Sequence, residues 1–117
     1  GVTFHDFMPQ EELVRYYAQS KVHALPSWFE TTGLSSLEAG AMGCNLVVGK
    51  GGDTKDYFEG YASFCRANNI QSIREAIKIE MQKSSNFIFR DRVLEQYTWE
   101  QAALETFVAY QKALEIE

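Results

Sequence analysis

Two glutamates, Glu30 and Glu38, are separated by seven residues and are well placed to bind a hydroxyl-rich ligand. Between them lie two hydroxyl side chains, a glycine and the first residue of a predicted helix: Thr31, Thr32, Gly33 and Leu34. The first amides of a helix lack internal acceptors and sit at the positive end of its dipole, so they bind phosphate. The pattern predicts a ligand whose phosphates contact the helix start and whose hydroxyls contact the two carboxylates.

The same residues also have a purely structural interpretation. A strand, a loop and a helix with one glycine between them are common in α/β proteins. A glutamate in the first turns of a helix is stabilised by the helix dipole without any ligand, and Thr31 or Thr32 can cap the helix. From the residue types alone, both interpretations stay open.

Strands and helices are predicted to alternate along the chain. The predicted strands are short apolar runs: Val2–Phe4, Val22–Leu25, Leu46–Val48 and Ala62–Cys65. The predicted helices are Gln10–Gln19, Leu34–Met42, Thr54–Glu59, Ile70–Lys83, Asn86–Tyr97 and Thr98–Glu115. This order predicts an α/β fold with a parallel sheet of about four short strands, helices on both faces and extra C-terminal helices.

The loops that follow the predicted strands are where a ligand is expected, because parallel sheets bind ligands at the carboxyl ends of their strands. These loops are His5–Pro9, Pro26–Gly33 and Gly49–Asp53. The second of them carries Glu30. The predicted sheet therefore places the candidate site at its carboxyl edge.

Composition and charge exclude several classes of protein. The 117 residues are 45% hydrophobic, and 11 Lys and Arg against 16 Asp and Glu give a net charge of −5. The apolar fraction suits one packed domain and excludes a disordered tail. The negative charge argues against nucleic acid as a partner. No apolar run is long enough to predict a membrane span.

The cysteines and histidines predict no metal site. Cys44 and Cys65 are expected to be reduced and buried, because two cysteines do not make a disulfide framework and free cysteine behaves as a small apolar residue. Together with His5 and His23 they match no zinc-binding spacing. We expect His23 to be a structural residue of a strand. His5 lies on a ligand-side loop, and a structural role is favoured there too.

The aromatic residues are expected to belong to the core. Trp28 and Phe29 could stack on a sugar or a base, but core packing is the favoured interpretation. A stripe of residues at helical spacing predicts that the last helix packs on the domain: Trp99, Ala103, Phe107, Tyr110 and Leu114.

A longer string around the two glutamates resembles the signature of an enzyme family. It comprises Pro26-Ser27, Glu30, Gly33-Leu34, Leu37-Glu38-Ala39, Gly43 and Leu46-Val47-Val48. The string resembles the group 1 (family 4) glycosyltransferases, retaining enzymes of the two-domain GT-B fold, whose hallmark is two glutamates with seven residues between them. The resemblance extends to Tyr97-Thr98-Trp99-Glu100 and implies a Rossmann-like domain.

The resemblance implies a role for each candidate residue. Glu30, the candidate catalytic residue, would face the hydroxyls of the donor sugar, and Glu38 would bind the ribose hydroxyls. The implied substrate-binding segment between them comprises Thr31, Thr32, Gly33 and Leu34. Backbone amides of that segment would hold the sugar and the diphosphate, and the nucleobase would rest near Phe7 and Met8. No Asp-x-Asp pair of the metal-dependent glycosyltransferases occurs, so we expect no metal and no cofactor.

Three residues depart from the pattern of the family. Thr32 stands where relatives often have an aromatic residue or cysteine, and Asn45 replaces the usual proline before the Val-Val strand. Gly40 stands in the middle of a predicted helix, where it costs about 1 kcal/mol relative to alanine. We therefore expect close packing at Gly40.

The resemblance also implies that residues 1–117 form a single domain, the larger part of the C-terminal donor-binding domain. The N-terminal acceptor domain and the Arg and Lys that neutralise the diphosphate would lie outside these residues, and this part alone is expected to be inactive. The implied partners are a nucleotide-diphosphate sugar, a glycan or lipid-linked acceptor and the N-terminal domain of the same chain. Polysaccharide biosynthesis in the cytoplasm is expected, with peripheral attachment to the inner membrane surface left open.

The alternative is a non-enzymatic α/β interaction module, for example a receiver-like domain. A receiver needs clustered acidic residues at strand ends, and Asp6 and Asp53 supply only part of such a cluster. A dinucleotide-binding oxidoreductase is disfavoured, because no G-x-G-x-x-G follows a predicted strand.

Overall fold

A parallel three-stranded sheet with helices on both faces forms the centre of the fold. The computed structural model describes residues 1–115. Its strands are β1 (Val22–Leu25), β2 (Asn45–Gly49) and β3 (Ala62–Cys65), with β2 in the middle. His23 pairs with Leu46, and Val48 pairs with Phe64. Both connections between strands contain a helix, as parallel pairing requires.

The helices agree with their predicted bounds to within one residue at each end. They are α1 (Gln10–Gln19), α2 (Leu34–Ala41), α3 (Thr54–Phe58), α4 (Ile70–Gln82), α5 (Phe87–Gln96) and α6 (Trp99–Glu115). Within the described residues, no helix is both long and apolar enough to cross a membrane.

The central strand is buried on both faces, because successive side chains of a strand point to opposite sides. Leu46 and Val48 face a core shared with α1, α2 and α5, whereas Val47 faces a smaller core with Ala76 of α4. Cys44, directly before β2, belongs to the larger core, and Cys65, the last residue of β3, belongs to the smaller one. Both are free and buried, as predicted.

The segment Val2–Phe4 is not a strand, so the sheet has three strands rather than about four. Its side chains are exposed, Phe4 to 92%. A strand exists only when a neighbour satisfies its amides and carbonyls. Within residues 1–115 no segment pairs with residues 2–4, and β1 pairs with β2 alone. The prediction of a strand at residues 2–4 is therefore wrong, because its apolar pattern says nothing about whether a pairing partner exists.

The prediction that α6 packs on the domain is wrong. None of its described residues is buried, and Trp99 at its start is 89% exposed. An amphipathic stripe indicates which face of a helix is apolar, not that another element of the described chain covers it. The helix extends the molecule, whose dimensions are 60 × 30 × 28 Å.

Two departures from the family pattern have a structural explanation. A Cβ added at Gly40 would lie 2.6 Å from Cε1 of the fully buried Phe89 ring, which confirms the expected close packing between α2 and α5. The buried Asn45 donates from Nδ2 to the carbonyl of Glu80 at 2.9 Å and so binds the C-terminal end of α4.

Candidate functional site

The start of α2 presents free backbone amides. Gly33 is the N-cap, with φ 85° and ψ 58°, a left-handed conformation that favours glycine. Its carbonyl accepts from the amide of Ser36 at 2.9 Å. Within the described residues, the amides of Leu34 and Ser35 donate to no backbone carbonyl. These N–H groups, at the positive end of the helix dipole, can bind an anion.

Thr31 and Thr32 flank this helix start without capping it. No side chain caps α2, so of the two roles open to the threonines from the sequence, neither residue takes the capping one. The physical reason is that Gly33 occupies the cap position and turns the chain there. Thr31 is exposed and Thr32 is half-buried, so both hydroxyls remain near the helix start without a capping role.

The backbone of Glu30 is held by the loop that follows β2. Glu30 forms an isolated parallel bridge with Gly52, so the pairing of β1 and β2 resumes beyond their ends. The amide of Glu30 donates to the carbonyl of Gly51 at 3.3 Å, and the amide of Asp53 donates to the carbonyl of Glu30 at 2.9 Å. Thr54 closes this loop by donating its hydroxyl to the carbonyl of Gly49 at 2.7 Å.

Three glycines allow this approach of the two loops. A Cβ at Gly49, Gly51 or Gly52 would overlap the carbonyl oxygen of Ser27, Trp28 or Glu30, respectively. Any side chain there would push the Glu30 loop away from the sheet. The glycine-rich segment that begins at the end of β2 therefore helps to position the Glu30 loop.

Glu38 lies in the second turn of α2, and its carboxylate is already oriented by another helix. Oε1 of Glu38 accepts from Nε2 of Gln10, the first residue of α1, at 2.8 Å. Burial first and the charge of Glu38 second raise the pKa of Tyr17. Among residues 1–115, the half-buried carboxylate of Glu30 accepts no hydrogen bond, so it is available to a ligand.

A polar pair lies beneath the first turn of α2. Nε2 of His23 in β1 is 3.2 Å from Oγ of Ser36, which is fully buried. The edge of the His23 ring contacts Tyr17, with ring centroids 5.5 Å apart, and burial lowers the pKa of His23. His23 is therefore a structural residue, as expected. His5 is exposed, with its ring 4.8 Å from that of Tyr16.

The aromatic residues of the Glu30 loop do not enter the core. Trp28 is 72% exposed and Phe29 67% exposed, so the favoured core-packing interpretation is wrong. The glycines after β2 contact the backbone of this loop and hold it along the edge of the sheet, where no core forms. Phe7 is also exposed and Met8 is half-buried, and their predicted role at the nucleobase stays a prediction.

An open groove of about 700 Å³ runs from the start of α2 to the start of α6. Its lining includes Thr32 and Leu34 from the start of α2, together with Tyr57, Tyr97 and Trp99. Its volume falls in the range of pockets that hold small-molecule ligands. Within residues 1–115, no three His, Cys, Asp or Glu side chains are grouped so that they could hold a metal ion.

The comparison with protein families identifies the family of the chain. The family described as "Glycosyl transferases group 1" matches residues 1–93, which include both glutamates and the whole sheet. The chain belongs to the group 1 glycosyl transferases. The receiver-like alternative therefore has no support. No curated protein matches the chain.

A solved structure supports the fold of this glycosyl transferase domain. The chain is similar to sucrose-phosphate synthase (tll1590) from Thermosynechococcus elongatus, with 22% identity and a TM-score of 0.82. The match covers 98% of this chain and 31% of that chain. At this identity the likeness concerns the fold alone, and it confirms the predicted Rossmann-like α/β class.

Two functional contacts were not found from the sequence. The sequence predicts only a helix at Gln10, whereas in the structure it donates to Glu38, 28 positions away. The sequence predicts only a loop at Gly49, whereas in the structure its lack of a side chain lets the backbone of Ser27 approach. The available signal for the first contact is that Gln10 begins a helix directly after Pro9, the last residue of a ligand-side loop.

Proposed function

We propose that the chain is the donor-binding part of a retaining glycosyltransferase that uses a nucleotide-diphosphate sugar. The observation that carries the proposal is the free helix start of α2 between Glu30 and Glu38 in a member of the group 1 family. Phosphates need N–H donors, and sugar hydroxyls need strong acceptors. This arrangement provides both within nine consecutive residues, from Glu30 to Glu38.

Each residue has a defined part in the proposed complex. The amides of Leu34 and Ser35 hold the diphosphate, with the backbone of Gly33 close to the ligand. Glu38, oriented by Gln10, accepts the two ribose hydroxyls. Glu30 faces the hydroxyls of the donor sugar beside the reacting carbon. Donors aimed at the departing diphosphate stabilise the charge that develops on it, which is the main electrostatic contribution expected of such a site.

The whole reaction needs more than these residues. We propose that residues 1–117 are the larger part of a C-terminal donor domain, which agrees with their covering 31% of the structural relative. An N-terminal domain of the same protein would bring the glycan or lipid-linked acceptor to the donor. We propose a cytoplasmic enzyme of polysaccharide biosynthesis with peripheral contact to the inner membrane surface.

Titration of the isotope-labelled chain with UDP, GDP and ADP, followed by amide NMR shifts, tests the donor site. We expect one nucleotide to shift residues 32–38 at millimolar concentration. Glu38→Ala should weaken its binding tenfold or more, because two hydrogen bonds to a charged acceptor are lost. Glu95→Ala, which removes an exposed carboxylate of α5, is the matched control and should bind as the parent chain does. Equal affinity of the Glu38→Ala and parent chains would contradict the proposal.

A further inference from the structure

A second cavity opens at the same carboxyl edge of the sheet. It has a volume of about 170 Å³, and it is lined by loops that follow all three strands. Ser27 and Trp28 follow β1, Lys50 and Gly51 follow β2, and a third wall at 66–68 follows β3. It shares no lining residue with the groove at Thr32 and Leu34. The cavity is therefore separate from the proposed donor phosphate site, although it opens at the edge where ligands bind.

The charge of this cavity is positive in a protein of net negative charge. Lys50 and Arg66 line it, and none of its lining residues is acidic. Within residues 1–115 the ion pairs involve other side chains, so neither cation is neutralised by a carboxylate of the described chain. Cys65 also lines the cavity, and the Lys50 charge opposes the rise that burial causes in the pKa of its thiol.

The backbone around the cavity is fixed. The amide of Lys50 donates to the carbonyl of Cys65 at 3.1 Å, and the amide of Arg66 donates to Oγ of Ser72 at 3.0 Å. Gly51 lies against the carbonyl of Trp28 with no room for a side chain. These contacts hold the two cations and the exposed indole around one opening, so little ordering of the backbone is needed on binding.

We infer that this cavity binds an oxyanion carried by the acceptor, a phosphate or carboxylate group on a sugar, with Trp28 against the apolar face of the ring. Arg and Lys bind such groups through charge-assisted hydrogen bonds, and the indole buries apolar surface beside them. The cavity holds about six waters at about 30 Å³ each, enough for one charged group but too little for a nucleotide. The inference rests on the proposed function, which places the donor phosphates at α2.

Titration of the isotope-labelled chain with glucose 6-phosphate, glucuronate and glucose tests the inference. We expect the first two probes to shift the indole N–H of Trp28 and the amides of residues 50–51 and 66–68, and glucose to bind at least tenfold more weakly. Shifts by glucose 6-phosphate alone would assign a phosphate, and shifts by glucuronate alone a carboxylate. Equal binding of all three probes would overturn the inference.

Two double variants that remove the same charge test whether the sugar binds in this cavity or is attracted by positive charge in general. Lys50→Gln with Arg66→Gln should weaken binding of the charged sugar at least tenfold. Lys55→Gln with Arg74→Gln removes the same charge from exposed positions outside the cavity. This second double variant should change the affinity for the charged sugar less than twofold. Equal losses in both double variants would overturn the inference.

The two proposals fail in different ways. A nucleotide that shifts residues 32–38 while neither charged sugar affects Trp28 would refute the acceptor site and leave the donor site intact. A nucleotide whose phosphates shift residues 50–51 and 66–68 in place of 32–38 would refute both assignments, because the cavity would then be the donor phosphate site.

Discussion

Gly52 lies directly against Glu30, and the two residues form a parallel bridge beyond the ends of β1 and β2. A side chain on Gly52 would overlap the carbonyl oxygen of Glu30, and the neighbouring amide of Asp53 donates to that same oxygen at 2.9 Å. The position of the candidate catalytic carboxylate is therefore set by a loop more than twenty residues away. The site depends on contact between two loops rather than on the signature segment alone.

Gly52→Ala should destabilise the chain by about 3 kcal/mol or more, because a left-handed backbone and a steric overlap both oppose the new Cβ. Gly60→Ala is a matched control. Gly60 has φ 83° against 81° for Gly52, but a Cβ there meets nothing within 4 Å. The control should lose only about 1–2 kcal/mol, from the backbone conformation. Urea unfolding measures the free energy of unfolding of both variants. Equal losses in the two variants would mean that the backbone around Gly52 shifts freely to relieve the overlap.

Gly40→Ala should destabilise the chain although alanine is the better helix former. The gain in helix propensity is about 1 kcal/mol, whereas overpacking a fixed ring costs about 1–3 kcal/mol. Phe89 is fully buried and contacts Phe58, so its ring has little room to move. The double variant with Phe89→Leu should lose at least about 1 kcal/mol less than the sum of the single variants. Additive losses in urea unfolding would contradict this packing.

Asn45→Ala should cost about 1 kcal/mol, because it removes the buried hydrogen bond to the carbonyl of Glu80, which then keeps only the amide of Lys83 as a donor, at 3.3 Å. Asn45→Pro should cost more, since the amide of Asn45 also donates to the carbonyl of Lys21 at 2.9 Å. Asn68→Ala, at an exposed position, should stay within about 0.5 kcal/mol of the parent chain. Thermal unfolding of the three variants measures the order of their stability losses. An Asn45→Pro chain as stable as the parent would show that the family's usual proline fits this chain as well.

Stability should fall on acidification below the ordinary pKa of histidine, in part because of His23. Burial lowers the pKa of His23 in the folded chain, so the unfolded chain binds its proton at a higher pH. The free energy of unfolding therefore declines as the pH drops from about 6.5 through the lowered value. Urea unfolding between pH 5 and 7.5 should show a weaker decline in His23→Gln. The His5→Gln control should keep the decline of the parent chain, and identical slopes in both variants would exclude this contribution of His23.

The helices and the three strands could be predicted because their limits are set by local residues. Pro9 precedes α1, Gly33 precedes α2, Pro26 ends β1 and Gly43 follows α2 closely. Such signals act within a few positions of the chain, so they can be recognised from the sequence without knowledge of the fold.

The features that were predicted wrongly depend on distant partners. Val2–Phe4 has the composition of a strand, but no strand among the described residues pairs with it. The face of α6 that contains Phe107 has the composition of a buried helix face, but no described residue covers it. The residue type of Trp28 favours the core, whereas its backbone is placed by contact between its carbonyl and Gly51. Pairing across such distances leaves no periodic trace in the sequence.

The uncovered helix α6 also determines how the molecule tumbles. The radius of gyration is 16.3 Å, where a sphere-like domain of this length would have about 13 Å. Rotational diffusion should therefore be anisotropic, slow about the short axes and fast about the long one. Helical N–H bonds lie nearly along the helix axis, so the amides of α6 should have the highest ratio of longitudinal to transverse relaxation times if the helix follows the long dimension. That ratio would reveal in solution, without any ligand, whether the helix stands away from the sheet or folds back over the groove beside Trp99.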